Sequence, residues 1–317
     1  MHDHLRAACD EHGIILRRDA LELGYDDGAL YRALRSGVLH RIRHGAYVFA
    51  DQWAPLDAGA RHRLRARAVV RTAQAPVALS HVSALVMTDA PLWDLPLADV
   101  HLTRLDRRAG RREAGVVQHR GAITSADLVA HGPLQLTSPA RTAVDLTKIV
   151  DVEHALPVLD HLLNCGATTP EQLRATALAM QRHPATLATD LAIRLADGRS
   201  ESVGESRSRY AFFRGGLPAP VAQLEVHDGR GRLVGRVDFA WPELGVFLEF
   251  DGKEKYLRSR RAGESVLDVV LREKRREERI CRITGWRCIR IVWADLYQPE
   301  KLVAHIASVL AGGPVFD

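Results

Sequence analysis

Two acids, Glu249 and Asp251, alternate with Phe247, Leu248 and Phe250 in an otherwise apolar run, Val246 to Asp251. In an extended strand, side chains at i and i+2 share a face, so both carboxylates point the same way. Asp238 lies 11 residues before Glu249, across the turn Trp241-Pro242-Glu243-Leu244-Gly245. Antiparallel pairing across that turn brings Asp238 near Glu249. Carboxylates gathered in this way repel one another unless a cation neutralises them. Hard oxygen donors suit Mg²⁺ or Mn²⁺, which makes Asp238 and Glu249 candidate ligands of one such ion. Lys253 keeps the same parity if the strand continues. Its ammonium would stabilise developing negative charge or orient a water. The chemistry such a set performs is phosphodiester hydrolysis. The metal polarises the phosphate and lowers the pKa of an attacking water, and lysine or metal stabilises the pentacovalent state.

The elements that must position these groups are legible in the pattern. Ser202 to Arg214 reads as a helix carrying Glu205 and Arg209. Strands follow at Ala222 to His227, Leu233 to Ala240 and Val246 to Asp251, the first two joined at Asp228-Gly229-Arg230-Gly231. Gly229, Gly231 and Gly235 sit in a hairpin rather than a strand-to-helix turn, so they are no dinucleotide fingerprint. A helix over Val266 to Arg282, a strand over Cys288 to Trp293 and a helix over Pro299 to Leu310 close the unit. Residues 253–290 hold 13 Lys/Arg against 6 Asp/Glu, a local +7 in a chain whose whole balance is +5. A concentrated basic segment is a candidate phosphate-binding surface, with Lys274 and Arg276 placed to reach a DNA phosphate. The alternative is a salt-bridged, solvated helix.

This order of helix with Glu, hairpin with Asp, strand with Glu-x-acid, basic helix, strand and helix resembles the PD-(D/E)XK nuclease fold. It is closest to the very-short-patch-repair-endonuclease-like branch. The matching blocks are Glu205, Val237-Asp238-Phe239, Leu248-Glu249-Phe250-Asp251-Gly252 and Gly285 through Leu296. The resemblance implies Mg²⁺ or Mn²⁺ on Asp238 and Glu249, Glu205 orienting a metal-bound water, and Asp251 with Lys253 assisting. Two positions depart from the family. Its Pro-Asp is Val237-Asp238 here, and its lysine two residues after the second acid is Asp251, leaving Lys253 or Lys255 to substitute. A degenerate domain that binds without cutting is the rival implication.

The amino-terminal residues carry a second chemistry. Helices are expected over Leu5 to His12, over 17–23, and over Gly28 to Ser36 with Asp26 and Asp27 capping. Gly13, Gly24 and Gly37 are the stop signals. Two strands over Val38 to Phe49 turn at His44-Gly45. Three helices and a hairpin are the order of a winged helix-turn-helix. Its third helix would present Tyr31, Arg32 and Arg35 to DNA, and its hairpin Arg41, Arg43 and His44 to the flanking backbone. Protein binding is the competing use of such a module. The segment resembles the amino-terminal domain of AbiEi-like type IV antitoxins, through Gly13-Ile14-Ile15, Leu23-Gly24-Tyr25, Leu34 through Leu39 and Arg41 through Val48. That resemblance implies promoter-DNA binding and a toxin or defence-system partner protein.

Residues 51–60 read as a linker, followed by a helix from Arg61 to Thr72 whose Arg63, Arg67 and Arg71 share one face. Between 77 and 200 a mixed α/β pattern is expected, with helices over Ser80 to Thr88, Ser138 to Leu146, 152–164, 170–181 and 185–196. Strands are expected at Val100 to Thr103 and Val116 to His119. Thr137 through Leu146 resembles the middle region of the same antitoxin-like family. His81, His101, His119 and His131 fall on different elements without metal-ligand spacing and read as ordinary core or surface histidines.

Composition bounds the rest. At 317 residues the chain is long enough for two or three domains, and 46% hydrophobic with 26% charged residues is ordinary for a globular protein. Four scattered cysteines and no Cys-x-x-Cys make neither a disulfide scaffold nor a cysteine zinc site. No apolar run approaches a membrane span and the amino terminus has no signal core, so a cytoplasmic protein is expected. The expected fold class is α+β / α/β multidomain: a winged helix over 1–52, a mixed α/β antitoxin-like domain over 53–197 and a PD-(D/E)XK nuclease-like domain over 198–317. The leading functional expectation is a DNA-binding, metal-dependent endonuclease of phage defence or repair. The alternative is a non-enzymatic transcriptional regulator or antitoxin with a degenerate nuclease fold.

Overall fold

The computed structural model describes residues 2–7, 9–106, 108–180, 186–252 and 265–315. The chain divides into two compact units, Met1–Val158 with Ala167–Ile193, and Leu159–Gly166 with Arg194–Asp317. No helix among the described residues is long and apolar enough to cross a membrane.

The first unit opens with a winged helix. Helix α1 spans His2–Ala7, strand β1 Ile15–Leu16, α2 Arg17–Glu22 and α3 Asp27–Arg35; β2 (Leu39–Arg43) and β3 (Ala46–Phe49) form the wing. Asp26 caps α3 by accepting from Ala29 N at 2.6 Å. The expected stop glycines hold positive φ, +83° at Gly24 and +72° at Gly37, which a side chain would strain. The two-residue β1, too short to show alternation, joins the wing to make a three-stranded sheet ordered β1-β3-β2. The first helix is shorter than expected, and residues 51–60 are not a plain linker. A one-turn helix α4 (Ala50–Trp53) and the start of α5 (Ala58–Arg71) occupy them, α5 being capped by Asp57.

The rest of the first unit is a mixed six-stranded sheet ordered β6-β7-β5-β4-β9-β8. Its strands are β4 (Val77–Leu79), β5 (Val100–Arg104), β6 (Arg112–Glu113), β7 (Val116–His119), β8 (Leu128–His131) and β9 (Leu134–Thr137). Helices α6 (His81–Leu85), α7 (Pro139–Leu146), α8 (Val152–Asn164), α9 (Pro170–Ala179) and α10 (Thr186–Leu195) belong to the same stretch of chain. Strands β5 and β7 pair in parallel, with His101 beside Val117 and Thr103 beside His119. Ala66 and Val69 of α5 join the sheet's core of Leu79, Val100, Leu102 and Leu136, while Ala68 packs on Ile14, Leu16 and Ala46 of the winged helix.

In the second unit, α11 (Val203–Arg214) precedes β10 (Val221–His227), β11 (Leu233–Trp241) and β12 (Val246–Asp251). Helix α12 (Val266–Thr284), strand β13 (Arg287–Val292) and helix α13 (Pro299–Leu310) follow. The sheet is ordered β10-β11-β12-β13, antiparallel between the first three strands and parallel between β12 and β13. Its core gathers Phe212 of α11, Phe239, Leu248, Phe250, Ile289 and Ile306. Gly204 lets α11 lie against β12: a Cβ there would come within 2.0 Å of the Phe250 ring.

Candidate functional site

On the winged helix, α3 turns Leu30 and Ala33 into the core and leaves Tyr31, Arg32 and Arg35 exposed. Tyr31 is 60% exposed, and the Arg35 guanidinium lies 6.0 Å from its ring centre. In the wing, Arg41 and His44 are exposed, whereas Arg43 is half-buried and its burial lowers its pKa. The arginines of α5 are largely engaged by the fold. Arg71 bonds Asp10 at 2.6 Å and Asp19 at 3.0 Å, Arg63 donates to the Val86 carbonyl, and Arg61 and Arg65 lie over the Trp53 ring.

On the carboxyl-terminal unit, two of the expected acids, Glu205 and Asp238, are brought together. Ser202 caps α11, and its hydroxyl donates to Glu205 Oε1 at 2.7 Å. Glu205 Oε2 accepts from Glu201 N at 3.0 Å and from Gln223 Nε2 at 2.8 Å. The same amide nitrogen is 3.5 Å from Asp238 Oδ1, so Gln223 bridges the two acids. Asp238 Oδ2 accepts from Phe250 N at 2.8 Å. This bond takes over where the β11–β12 register ends, one step beyond the Phe239–Leu248 pair. Burial raises the Glu205 pKa, and the neighbouring Asp238 charge raises it further. Gln223 stands at φ +54° inside β10, and the pairing with β11 passes over it from Ala222 to Leu224. No pattern in the sequence flags this residue.

Glu249 is also buried, and it has a cationic partner on α12. Arg276, expected to reach DNA, donates from Nη2 to Glu249 Oε1 at 2.8 Å, from Nε to Glu273 at 3.0 Å and from Nη1 to the Arg236 carbonyl at 2.7 Å. The oxygen donors have the chemistry Mg²⁺ or Mn²⁺ requires. However, the chain already delivers a guanidinium to Glu249, so the residues as they stand do not fit a preformed site for a dication on Asp238 and Glu249. Asp251 ends β12 half-buried, Lys274 is exposed on α12, and Lys253 and Lys255 lie outside the described residues.

A third constellation lies where α6 meets the six-stranded sheet, and no spacing in the sequence points to it. His81, His101 and His119, expected to be unrelated, each bring one ring nitrogen within 4.8 Å of the other two. His101 Nδ1 and His119 Nε2 are 2.9 Å apart, and the His81 and His119 rings stack at 3.9 Å. His101 and His119 share a sheet face because Thr103, two residues beyond His101, is the register partner of His119. Burial lowers all three imidazole pKa values, that of His101 to about 4, so each neutral ring has one lone-pair nitrogen, and of His101 Nδ1 and His119 Nε2 one donates its N–H to the other. Three such nitrogens can coordinate a divalent metal ion.

Residues 5–50 match the family described as "Transcriptional regulator, AbiEi antitoxin", and the segment is an AbiEi-like winged helix. Over 175 residues the chain is 31% identical to an uncharacterized protein of Mycobacterium tuberculosis strain CDC 1551 / Oshkosh. The same identity over the same length holds for an uncharacterized protein of strain ATCC 25618 / H37Rv. Each match covers 55% of this chain and 61% of the relative, so the chain spans less than two thirds of the curated relatives it matches.

Proposed function

We propose that the chain is a DNA-binding transcriptional regulator of the AbiEi antitoxin kind. Residues 1–52 read promoter DNA, 53–197 form the middle domain, and 198–317 form a PD-(D/E)XK-like domain that engages nucleic acid or a partner protein without cutting. The observation that carries this reading is the coincidence of the family match over 5–50 with a helix-turn-helix whose α3 exposes Tyr31, Arg32 and Arg35 beside the wing. A helix of that kind enters the major groove while the wing touches the flanking phosphates. The Arg276–Glu249 pair at 2.8 Å favours the non-cutting form. A toxin or other defence-system protein is the expected protein partner, as the match with antitoxins suggests. The test is fluorescence anisotropy of the full chain on the duplex upstream of its own gene and on a scrambled duplex of equal length. Cleavage in Mg²⁺ and in Mn²⁺ is followed on the same DNA. Tighter binding to the first duplex with both left intact supports the regulator; equal binding to the two refutes promoter recognition.

A second reading, a metal-dependent endonuclease, is favoured by the bridge from Gln223 to Glu205 and Asp238. In it Arg276 would have to leave Glu249, which with Asp238 would then hold Mg²⁺ or Mn²⁺, while Glu205 would position a water and Asp251 with Lys253 would assist. Metal-dependent cleavage that Asp238→Ala abolishes would establish this reading over the first.

A further inference from the structure

We infer that His81, His101 and His119 bind one borderline transition-metal ion of the Zn²⁺ class, in the first unit and independently of the acid cluster. The geometry is close to what such an ion needs. Zinc–nitrogen bonds of ~2.0–2.1 Å set two tetrahedral ligands about 3.3 Å apart. His101 Nδ1 and His119 Nε2 stand at 2.9 Å, joined by a hydrogen bond that an ion would replace once the donor ring takes its other tautomer, and all three ligand nitrogens lie within 4.8 Å of one another.

Three further features mark a built site. His81 holds φ +53°, a conformation costing on the order of 1–3 kcal/mol in a side-chain-bearing residue and kept where the surroundings require it. Its Nδ1 lies 2.9 Å from the Ser80 hydroxyl. When that nitrogen donates, Nε2 carries the lone pair, which is how outer hydrogen bonds orient metal-bound imidazoles. Thr103, 1% exposed on β5 and in register with His119, has a hydroxyl with no hydrogen-bond partner among the described residues. Three protein nitrogens leave a fourth tetrahedral position, and a water there would answer an orphaned hydroxyl on this face.

Arg141 and Lys148 lie close enough to lower the His81 pKa, yet both are held by carboxylate. Arg141 bonds Asp145 at 2.9 Å, with Asp127 at 3.7 Å, and Lys148 bonds Asp145 at 3.2 Å. Imidazole selects Zn²⁺, Ni²⁺ or Cu²⁺ over Mg²⁺, so this site is not the one expected on Asp238 and Glu249. The ion would tie the start of α6 to β5 and β7, three segments held otherwise by pairing and packing.

The full-length chain, stripped with chelator, is titrated with Co²⁺ and then with Zn²⁺. The expected result is a tetrahedral Co²⁺ absorption that saturates at one equivalent and is displaced by Zn²⁺ but not by Mg²⁺. Ser80→Ala lowers affinity about 10–100-fold by releasing the His81 ring, His101→Gln and His119→Gln lose the absorption, and Asp238→Asn leaves it unchanged. Absence of saturable Co²⁺ or Zn²⁺ binding in the wild type overturns the inference, as does binding that Ser80→Ala and both histidine variants leave intact. Far-UV circular dichroism checks folding; if a histidine variant unfolds, the wild-type titration and Ser80→Ala decide.

Discussion

Arg276 Nη2 lies 2.8 Å from Glu249 Oε1, and the same side chain also bonds Glu273 and the Arg236 carbonyl. The guanidinium neutralises a buried carboxylate at the place where the sequence led us to expect a divalent cation. A fixed positive charge on the chain pairs with Glu249 there without any ion from solution.

Removing that guanidinium leaves Glu249, only 9% exposed, without this partner. Breaking a buried pair costs about 3–5 kcal/mol, and the 22% exposure of Arg276 places Arg276→Ala toward or below the lower end. Urea denaturation measures the loss. Mg²⁺ should restore part of the stability in Arg276→Ala and leave the wild type unchanged. An Arg276→Ala protein as stable as the wild type would show that the pair is not a structural substitute for a cation.

Gly204→Ala should destabilise the second unit although alanine is the better helix former by about 1 kcal/mol. The new methyl meets the Phe250 ring at 2.0–2.6 Å, and that ring is itself packed edge-on against Trp293 at 5.5 Å. Overpacking of this kind costs about 1–3 kcal/mol, and it outweighs the propensity gain. Because Glu205 is the next residue, the shift of α11 also loosens the Gln223 bridge. Thermal denaturation measures the direction; a raised melting temperature would contradict the packing.

His154 gives a pH dependence with a definite sign. Burial pulls its pKa down, but Asp151 at 2.7 Å and Asp94 at 3.4 Å outweigh this and hold it above the ordinary 6.5. The ring also stacks on Trp93 at 4.9 Å. A folded pKa above the unfolded one gives stability fully present below pH 6.5 and lost as pH rises through the folded value. Melting temperatures measured across that window should fall more for the wild type than for His154→Gln. Parallel curves would remove the assignment.

The elements that position the candidate sites were largely legible because their signals are local. Asp26, Ser138 and Ser202 cap their helices as a short polar residue before an apolar period should. The alternation of Phe247, Leu248, Glu249 and Phe250 placed β12 to the residue. The wing strands lay either side of the expected Gly45 turn. What stayed hidden depends on partners far away in sequence. Short β4, β8 and β9 show too few residues to reveal a period, and only pairing with neighbours makes them strands. His101 and His119 each sat on an expected strand, but nothing local says that β5 and β7 pair in parallel, or that His81 takes a positive φ beside them. Arg276 stands on the charged face of a helix, and its turn inward to Glu249 is set by the packing of α12 on β11.

DNA recognition by α3 is tested most directly by the salt dependence of promoter binding by wild type and by Arg32→Ala/Arg35→Ala. Each phosphate contact removed lowers the slope of log K against log salt by about 0.9, so a double variant losing two contacts should bind more weakly with a slope smaller by about 2. An unchanged affinity and an unchanged slope would mean that this exposed arginine face does not touch DNA and that the winged helix serves a protein partner instead.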